Sequence, residues 1–293
     1  MSTAELSSTT ELDQISDGLD ALEDQSITGR RRRIDWVAIL APIAVVAALI
    51  GIWQLIYLSG VKDPWVLPSP GSVWSTLWQS IRSGDAWSAI WVSLHRGLIG
   101  FAVSVVIGTI LGLLIGQFAV LRKGFRPLLS AMQSLPSVAW VPFAIVVFQL
   151  SPATIYLVVL LGAVPSIANG LIGGLDQTPP LLRRAGTVLG ANRLEMIRYV
   201  LLPAALPTYV SGLKQGWAFA WRSLMAAELV ANAPSLGSGL GQMLENGSTQ
   251  SDMPTVIAAI ALILVVGIVI DLLVFAPLER RVLRARGLTP AGL

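Results

Sequence analysis

An all-α, polytopic membrane protein is the fold class this sequence predicts, and three observations carry it. Hydrophobic residues make up 54% of the 293 residues and charged residues only 13%. The mean hydropathy is +0.70, and a soluble domain has no interior that could hide so much apolar surface, so lipid is the expected solvent for most of the chain. The apolar residues also lie in continuous runs, too long for the alternating segments of a membrane barrel, which predicts helices.

A hydrocarbon core of about 30 Å takes roughly 20 apolar residues to cross as a helix. Six windows meet that length: 36–58, 98–120, 128–150, 152–175, 204–231 and 254–278. The first four contain no charged side chain, whereas the last two contain a few. Lys and Arg residues set the orientation. Arg30 to Arg33 precede the first window; Arg122, Lys123 and Arg126 fall between the second and third; Arg183, Arg184, Arg193 and Arg198 fall between the fourth and fifth; Arg280, Arg281, Arg284 and Arg286 follow the sixth. These four segments, and therefore both termini, are expected on the cytoplasmic side.

The outer connection 59–97 carries Val73, Trp74, Leu77, Trp78 and Ile81 at helical spacing. It reads as a short helix over 72–81, either anchored at the outer interface by tryptophans or packed against its neighbours. In the second window Gly108, Gly112 and Gly116 recur at every fourth residue. Such a ridge lets another helix approach closely, so this face is expected to be packed rather than lipid-exposed.

Before Arg30, seven of the 17 acidic residues (Glu5, Glu11, Asp13, Asp17, Asp20, Glu23 and Asp24) stand in a Ser/Thr-rich stretch without Lys or Arg. Residues 1–29 therefore read as a disordered acidic cytoplasmic tail, with no secretory cleavage expected. Residues 30–286 form the six-helix membrane domain, and 287–293 a short C-terminal tail.

Several activities are excluded by what is missing. Without cysteine there is no disulfide framework, zinc-thiolate site or thiol nucleophile, and a single histidine, His95, removes most metal and acid-base chemistry. No G-x-x-x-x-G-K-[ST] phosphate loop, H-E-x-x-H or G-x-S-x-G occurs. No catalytic residue, metal site or bound cofactor is expected, no nucleic-acid partner either, and any ATP-derived energy must come from another chain.

The connection 176–203, DQTPPLLRRAGTVLGANRLEMIRYVLLP, is too long for a turn and too polar to span. Pro179 and Pro180 suit the first turn of a helix that Gly190 can end. Asn192 can cap a second helix, about 193–201, with Glu195 reaching back in a capping box. Leu194, Met196 and Ile197 stand among Arg193, Glu195 and Arg198, a mixture that suits a groove in another protein and suits lipid headgroups nearly as well.

The order Arg184, Ala185, Gly186, three residues, Gly190, Ala191, then Val200, Leu202 and Pro203 resembles the "EAA" signature of ABC importer permeases. It departs at Arg184, where that family has Glu, and at Gly186, where it has a second Ala. Further segments, VLPSP (66–70), SLHRGLIGF (93–101), LPSVAWVPFAIVVF (135–148), AWRSLMAAEL (220–229), GLG (239–241) and LERRVLR (278–284), resemble the nitrate/sulfonate/taurine/bicarbonate uptake group, closest in pattern to aliphatic sulfonate permeases. The likeness covers about residues 34–286, and Gln149 stands where that pattern has glycine. The resemblance implies the type I importer permease (MetI-like) fold in the bacterial inner membrane. It also implies a second permease copy, two ATP-binding cassette subunits that hold ATP and Mg, and an extracytoplasmic solute-binding protein. The segment Arg184, Ala185, Gly186, Gly190, Ala191, Asn192, Arg193, Leu194, Glu195, Met196, Ile197 and Pro203 would then be the coupling helix that fits a cleft on the ATPase.

Ionisable groups inside a membrane usually face a cavity or a protein partner. Helical spacing puts Lys214, Ala218, Trp221, Met225 and Glu228 on one stripe, with Arg222 about 80° round. This stripe is expected to border the translocation path, its cations suiting a small anion and Trp221 walling it. Snorkelling for Arg222 and an exterior cap for Glu228 are equally open. Pro136 and Pro142 are expected to bend the third window and could line the path. Asp271 is expected to pair with a base on the cytoplasmic side, and His95 and Arg96 to anchor the outer end of the second window. A secondary transporter using Glu228 and Asp271 as coupling carboxylates is the competing reading.

Overall fold

The computed structural model describes residues 36–231 and 237–286, all of whose regular elements are helical. The acidic tail 1–29, the arginines at 30–33 and the C-terminal tail 287–293 lie outside the described residues. The chain divides into a first unit ending at Leu55 and a second beginning at Ile56. The first contributes one described element, most of helix α1, Trp36–Leu58.

In the second unit, α2 spans Pro70–Ser83. Ser69 caps it by accepting from the Ser72 amide at 3.0 Å, and Pro70 occupies the first turn, where its missing N–H is harmless. Helix α3, Asp85–Gln117, follows at once. It begins well before the expected window at 98 because its polar first turns carry Asp85, Ser93 and Arg96, which lower hydropathy without breaking a helix.

The third window is not one straight helix. Helix α4, Ala119–Ser134, includes the bases Arg122, Lys123 and Arg126, and stops before a 3₁₀ turn at Ser137–Trp140 and helix α5, Val141–Phe148; the two halves meet at 101°. Pro136 sets the break, since the residue before proline is pushed out of helical geometry, and Leu135 is extended at φ −73°, ψ 131°. Pro142 lies in the first turn of α5, where proline is tolerated.

Helix α6 spans Pro152–Asp176 and α7 Pro180–Val188. Helix α8, Leu202–Val230, carries Lys214, Arg222 and Glu228, followed by α9, Leu240–Thr249. Helix α10, Met253–Ile270, runs through a π-helical turn, Asp271–Phe275, into α11, Ala276–Ala285. Among the described residues, four helices are long and apolar enough to cross a membrane, and the bent pair would make a fifth. The charge-bearing α8 falls short of that measure, which is how six windows become fewer purely apolar spans.

Packing centres on α6, held between α3 and α8 by small residues. A Cβ at Gly108 would lie 2.8 Å from the Cβ of Ile167, one at Gly112 3.1 Å from the Cβ of Leu171, and one at Gly116 2.6 Å from Leu175 Cδ1. The ridge expected to be packed is therefore packed. On the opposite side, a Cβ at Gly170 would lie 2.5 Å from the Cα of Gly212. Lipid tails are as apolar as leucine, so helices in a membrane gain by such close van der Waals fit rather than by hydrophobic burial. Ile155, Ile167, Leu171, Ile172 and Leu224 fill the seams and are fully buried.

Candidate functional site

The segment after α6 forms two short helical pieces joined at Gly190. Helix α7 ends with the Ala191 amide donating to the Gly186 carbonyl and the Gly190 amide to the Thr187 carbonyl, both at 3.0 Å. This pair of bonds defines a Schellman cap, and Gly190 takes the left-handed φ of +79° that it requires. Asn192 then caps the next turn, Arg193–Glu195, accepting from the Leu194 and Glu195 amides at 3.0 and 2.9 Å, while Glu195 accepts from the Asn192 amide at 2.8 Å. The chain continues without a break through π-helical Met196–Leu201 into α8.

These caps hold an apolar surface open. Leu181, Val188, Leu189, Leu194 and Tyr199 are between 69% and 86% exposed. Arg184 is also exposed and makes no ion pair among the described residues. Met196 covers Gly186, where a Cβ would come within 2.8 Å of its methyl carbon. The glycine that departs from the "EAA" pattern is thus matched by the side chain lying over it.

A groove of about 550 Å³ runs along α8, lined among others by Lys214, Trp217, Ala218, Trp221, Arg222 and Asp271. Lys214 Nζ lies 3.3 Å from Asp271 and 3.6 Å from Glu279. Asp271, expected to pair with a base, pairs with this lysine of α8. Trp217 and Trp221 stack with ring centroids 6.0 Å apart, and the Trp221 indole donates to the Ile263 carbonyl at 3.2 Å. Arg222 sits over the Phe219 ring at 4.6 Å and donates to the Ala218 carbonyl. Despite its angular offset it borders the same groove.

Glu228 leaves the stripe. It is fully buried, takes the Arg96 guanidinium at 2.9 Å, and accepts from Ser93 Oγ at 2.6 Å and from the Gly241 amide at 3.1 Å. Ser93 in turn accepts from the Leu240 amide at 2.8 Å. The carboxylate therefore sits at the N-terminus of α9, where free amides and the helix dipole favour negative charge. A buried charge is tolerable only when paired and fully hydrogen-bonded, and this one is. Gly239 and Gly241 leave it room, since a Cβ at either would come within 2.6 Å of the Glu228 side chain. Arg96, expected to act as an anchor, is tied by this bond to Glu228. Ser93 went unsuspected, because its role depends on partners 135 and 147 residues further on. Pro136 and Pro142 do not border the groove.

A multi-pass helical membrane bundle of this kind agrees with what the chain resembles. The model of the binding-protein-dependent transport system inner membrane component family matches residues 104–284. The putative aliphatic sulfonates transport permease protein SsuC of Bacillus subtilis is 30% identical over 257 residues, covering 87% of this chain and 90% of that protein. The bicarbonate transport system permease protein CmpB of Synechococcus elongatus is 30% identical over 276 residues, with 87% and 92% covered. The taurine transport system permease protein TauC of Escherichia coli is 25% identical over 271 residues, with 87% and 94% covered. Among solved structures, a chain of the inward-facing MetNI methionine ABC transporter superposes with a TM-score of 0.56 at 22% identity, covering 66% of this chain and 94% of its own. The chain belongs to the binding-protein-dependent transport system inner membrane component family, and its fold is the type I importer permease fold.

Proposed function

We propose that this chain is the permease subunit of an ATP-driven importer in the bacterial inner membrane, moving a small anion of the sulfonate, taurine, nitrate or bicarbonate class by alternating access. In this reading six helices cross the membrane, α8 among them, and both termini are cytoplasmic. Two copies form the pore, two separate ATPase subunits bind ATP and Mg, and an extracytoplasmic binding protein delivers solute. The observation that carries the proposal is the run of exposed apolar side chains Leu181, Val188, Leu189, Leu194 and Tyr199, carried among arginines on two capped helical pieces that lead directly into α8. Exposed apolar residues on a polar connection are the kind of surface that a protein partner covers.

The groove along α8 is the proposed stretch of the path. An anion entering it competes with Asp271 and Glu279 for the Lys214 ammonium and meets Arg222 alongside. The ion-coupled alternative loses support because both of its carboxylates are engaged, Glu228 by Arg96 and Asp271 by Lys214.

The test is co-purification. Leu189→Asp together with Leu194→Asp, and separately Gly190→Pro, should leave membrane insertion intact while abolishing retention of the ATPase and ATP-dependent uptake. Normal uptake by these variants, or solute movement by the purified chain unaided, would refute the proposal.

A further inference from the structure

A second cavity, of about 310 Å³, lies behind the segment 191–197, between it and the ends of α3 and α6. Three arginines line it, Arg122, Arg183 and Arg193, together with Gln117 and Asn192. Arg122 and Arg183 hold the last turns of two helices, donating to the Gly116 and Leu175 carbonyls respectively. That role does not use them fully, because the Nε of each is buried without a hydrogen-bond partner. Arg193 stands over the Phe118 ring at 5.3 Å and makes no ion pair among the described residues. The nearby carboxylates are already committed: Asp176 is shared by Arg122 and Arg126, and Glu195 is turned back onto the Asn192 amide. Three guanidinium groups thus line a partly open cavity to which no carboxylate contributes.

We infer that this cavity binds a phosphate-class oxyanion between Arg122, Arg183 and Arg193. Guanidinium forks match the oxygens of a tetrahedral anion, and such an anion would satisfy the two stranded donors. It would also bridge Arg193, on the segment proposed to meet the ATPase, to arginines fixed on the bundle, so occupancy would stiffen that segment against α3 and α6. The phosphate can be a free one from solution, which arginine forks recognise directly, or that of an anionic lipid headgroup, which basic pockets among membrane helices hold.

The experiment uses the full chain, delipidated in a non-ionic detergent, and follows thermal unfolding against inorganic phosphate, with sodium chloride at matched ionic strength as reference. A parallel arm compares nanodiscs of phosphatidylcholine with and without phosphatidylglycerol. A free-anion site gives saturable stabilisation by phosphate beyond the chloride reference. A headgroup site gives stabilisation by phosphatidylglycerol alone. In either case Arg193→Gln, at an exposed position that caps no helix, weakens the response about tenfold, the loss of one charge-assisted contact. Arg183→Gln is a second variant, and Arg284→Gln, on α11, leaves the response unchanged. No stabilisation by either probe, or an undiminished response in both Arg193→Gln and Arg183→Gln, overturns the inference.

Discussion

Arg96 and Glu228, 132 residues apart in sequence, meet at 2.9 Å with the carboxylate wholly buried. The pair ties α3 to α8 and, through Ser93 and the Gly241 amide, to the start of α9. Removing one partner of a buried pair strands the other, at about 3–5 kcal/mol. Arg96→Met is therefore expected to lower stability by that amount in detergent unfolding. Glu228→Gln, which keeps the shape and some hydrogen bonds, should cost less, about 1–3 kcal/mol. In a double-mutant cycle the combined variant should be far less damaged than the sum of the singles.

The opposed glycines of α6 and α8 set how closely those helices approach. Gly212→Val should prevent that approach and yield little folded protein, since a Cβ there would lie 2.7 Å from the Gly170 Cα. Gly124→Ala, where a Cβ meets nothing within 4 Å, should be neutral or stabilise by about 0.5–1 kcal/mol. Detergent-solubilised yield and melting temperature distinguish the two outcomes.

Gln149 ends α5 at φ 57° and ψ −160°, a conformation reached almost only by glycine. It is also the position where the resemblance leads one to look for glycine. Gln149→Gly should stabilise the protein by about 1 kcal/mol, read from thermal unfolding; a loss of stability would mean the side chain makes a contact worth more than the backbone strain.

Lys214, Asp271 and Glu279 are each more than a third exposed, so solvent screens their interactions. Asp271→Asn with Glu279→Gln should leave folding nearly unchanged, within about 1 kcal/mol. On the proposed path, freeing the Lys214 ammonium should lower the KM for an anionic solute by a fewfold, whereas Lys214→Met should raise it. Reconstituted uptake at several solute concentrations separates these effects.

What the sequence reveals follows from which interactions are local. The Gly190 and Asn192 caps were legible because a Schellman turn and a capping box are each contained within a few residues, and both are present. The glycine ridge of α3 was legible for the same reason, as a periodicity along one helix. The early start of α3 was hidden because hydropathy detects apolar stretches, and a helix can begin in polar sequence. Pro136 announced a bend but not its size, which depends on what α4 and α5 pack against. For Glu228 the spacing left two roles open, the groove and a cap on the following segment, because periodicity gives the face of a helix and not its neighbour; Arg96, Ser93 and the Gly241 amide of α9 decide for the cap.

From Arg193 to Val230 the backbone is helical without interruption, passing through one π-helical stretch. At about 1.5 Å per residue, these residues make a bar roughly 55 Å long. Within it the π-helical turn at Met196–Leu201 and the prolines Pro203 and Pro207 are the places where a displacement of its foot could be absorbed, and beyond Pro207 the helix runs on as one piece. Tilting the whole bar by about 10° would carry the far end sideways by nearly 10 Å, so Lys214 and Glu228 would swing together, on arcs set by their distance from the pivot.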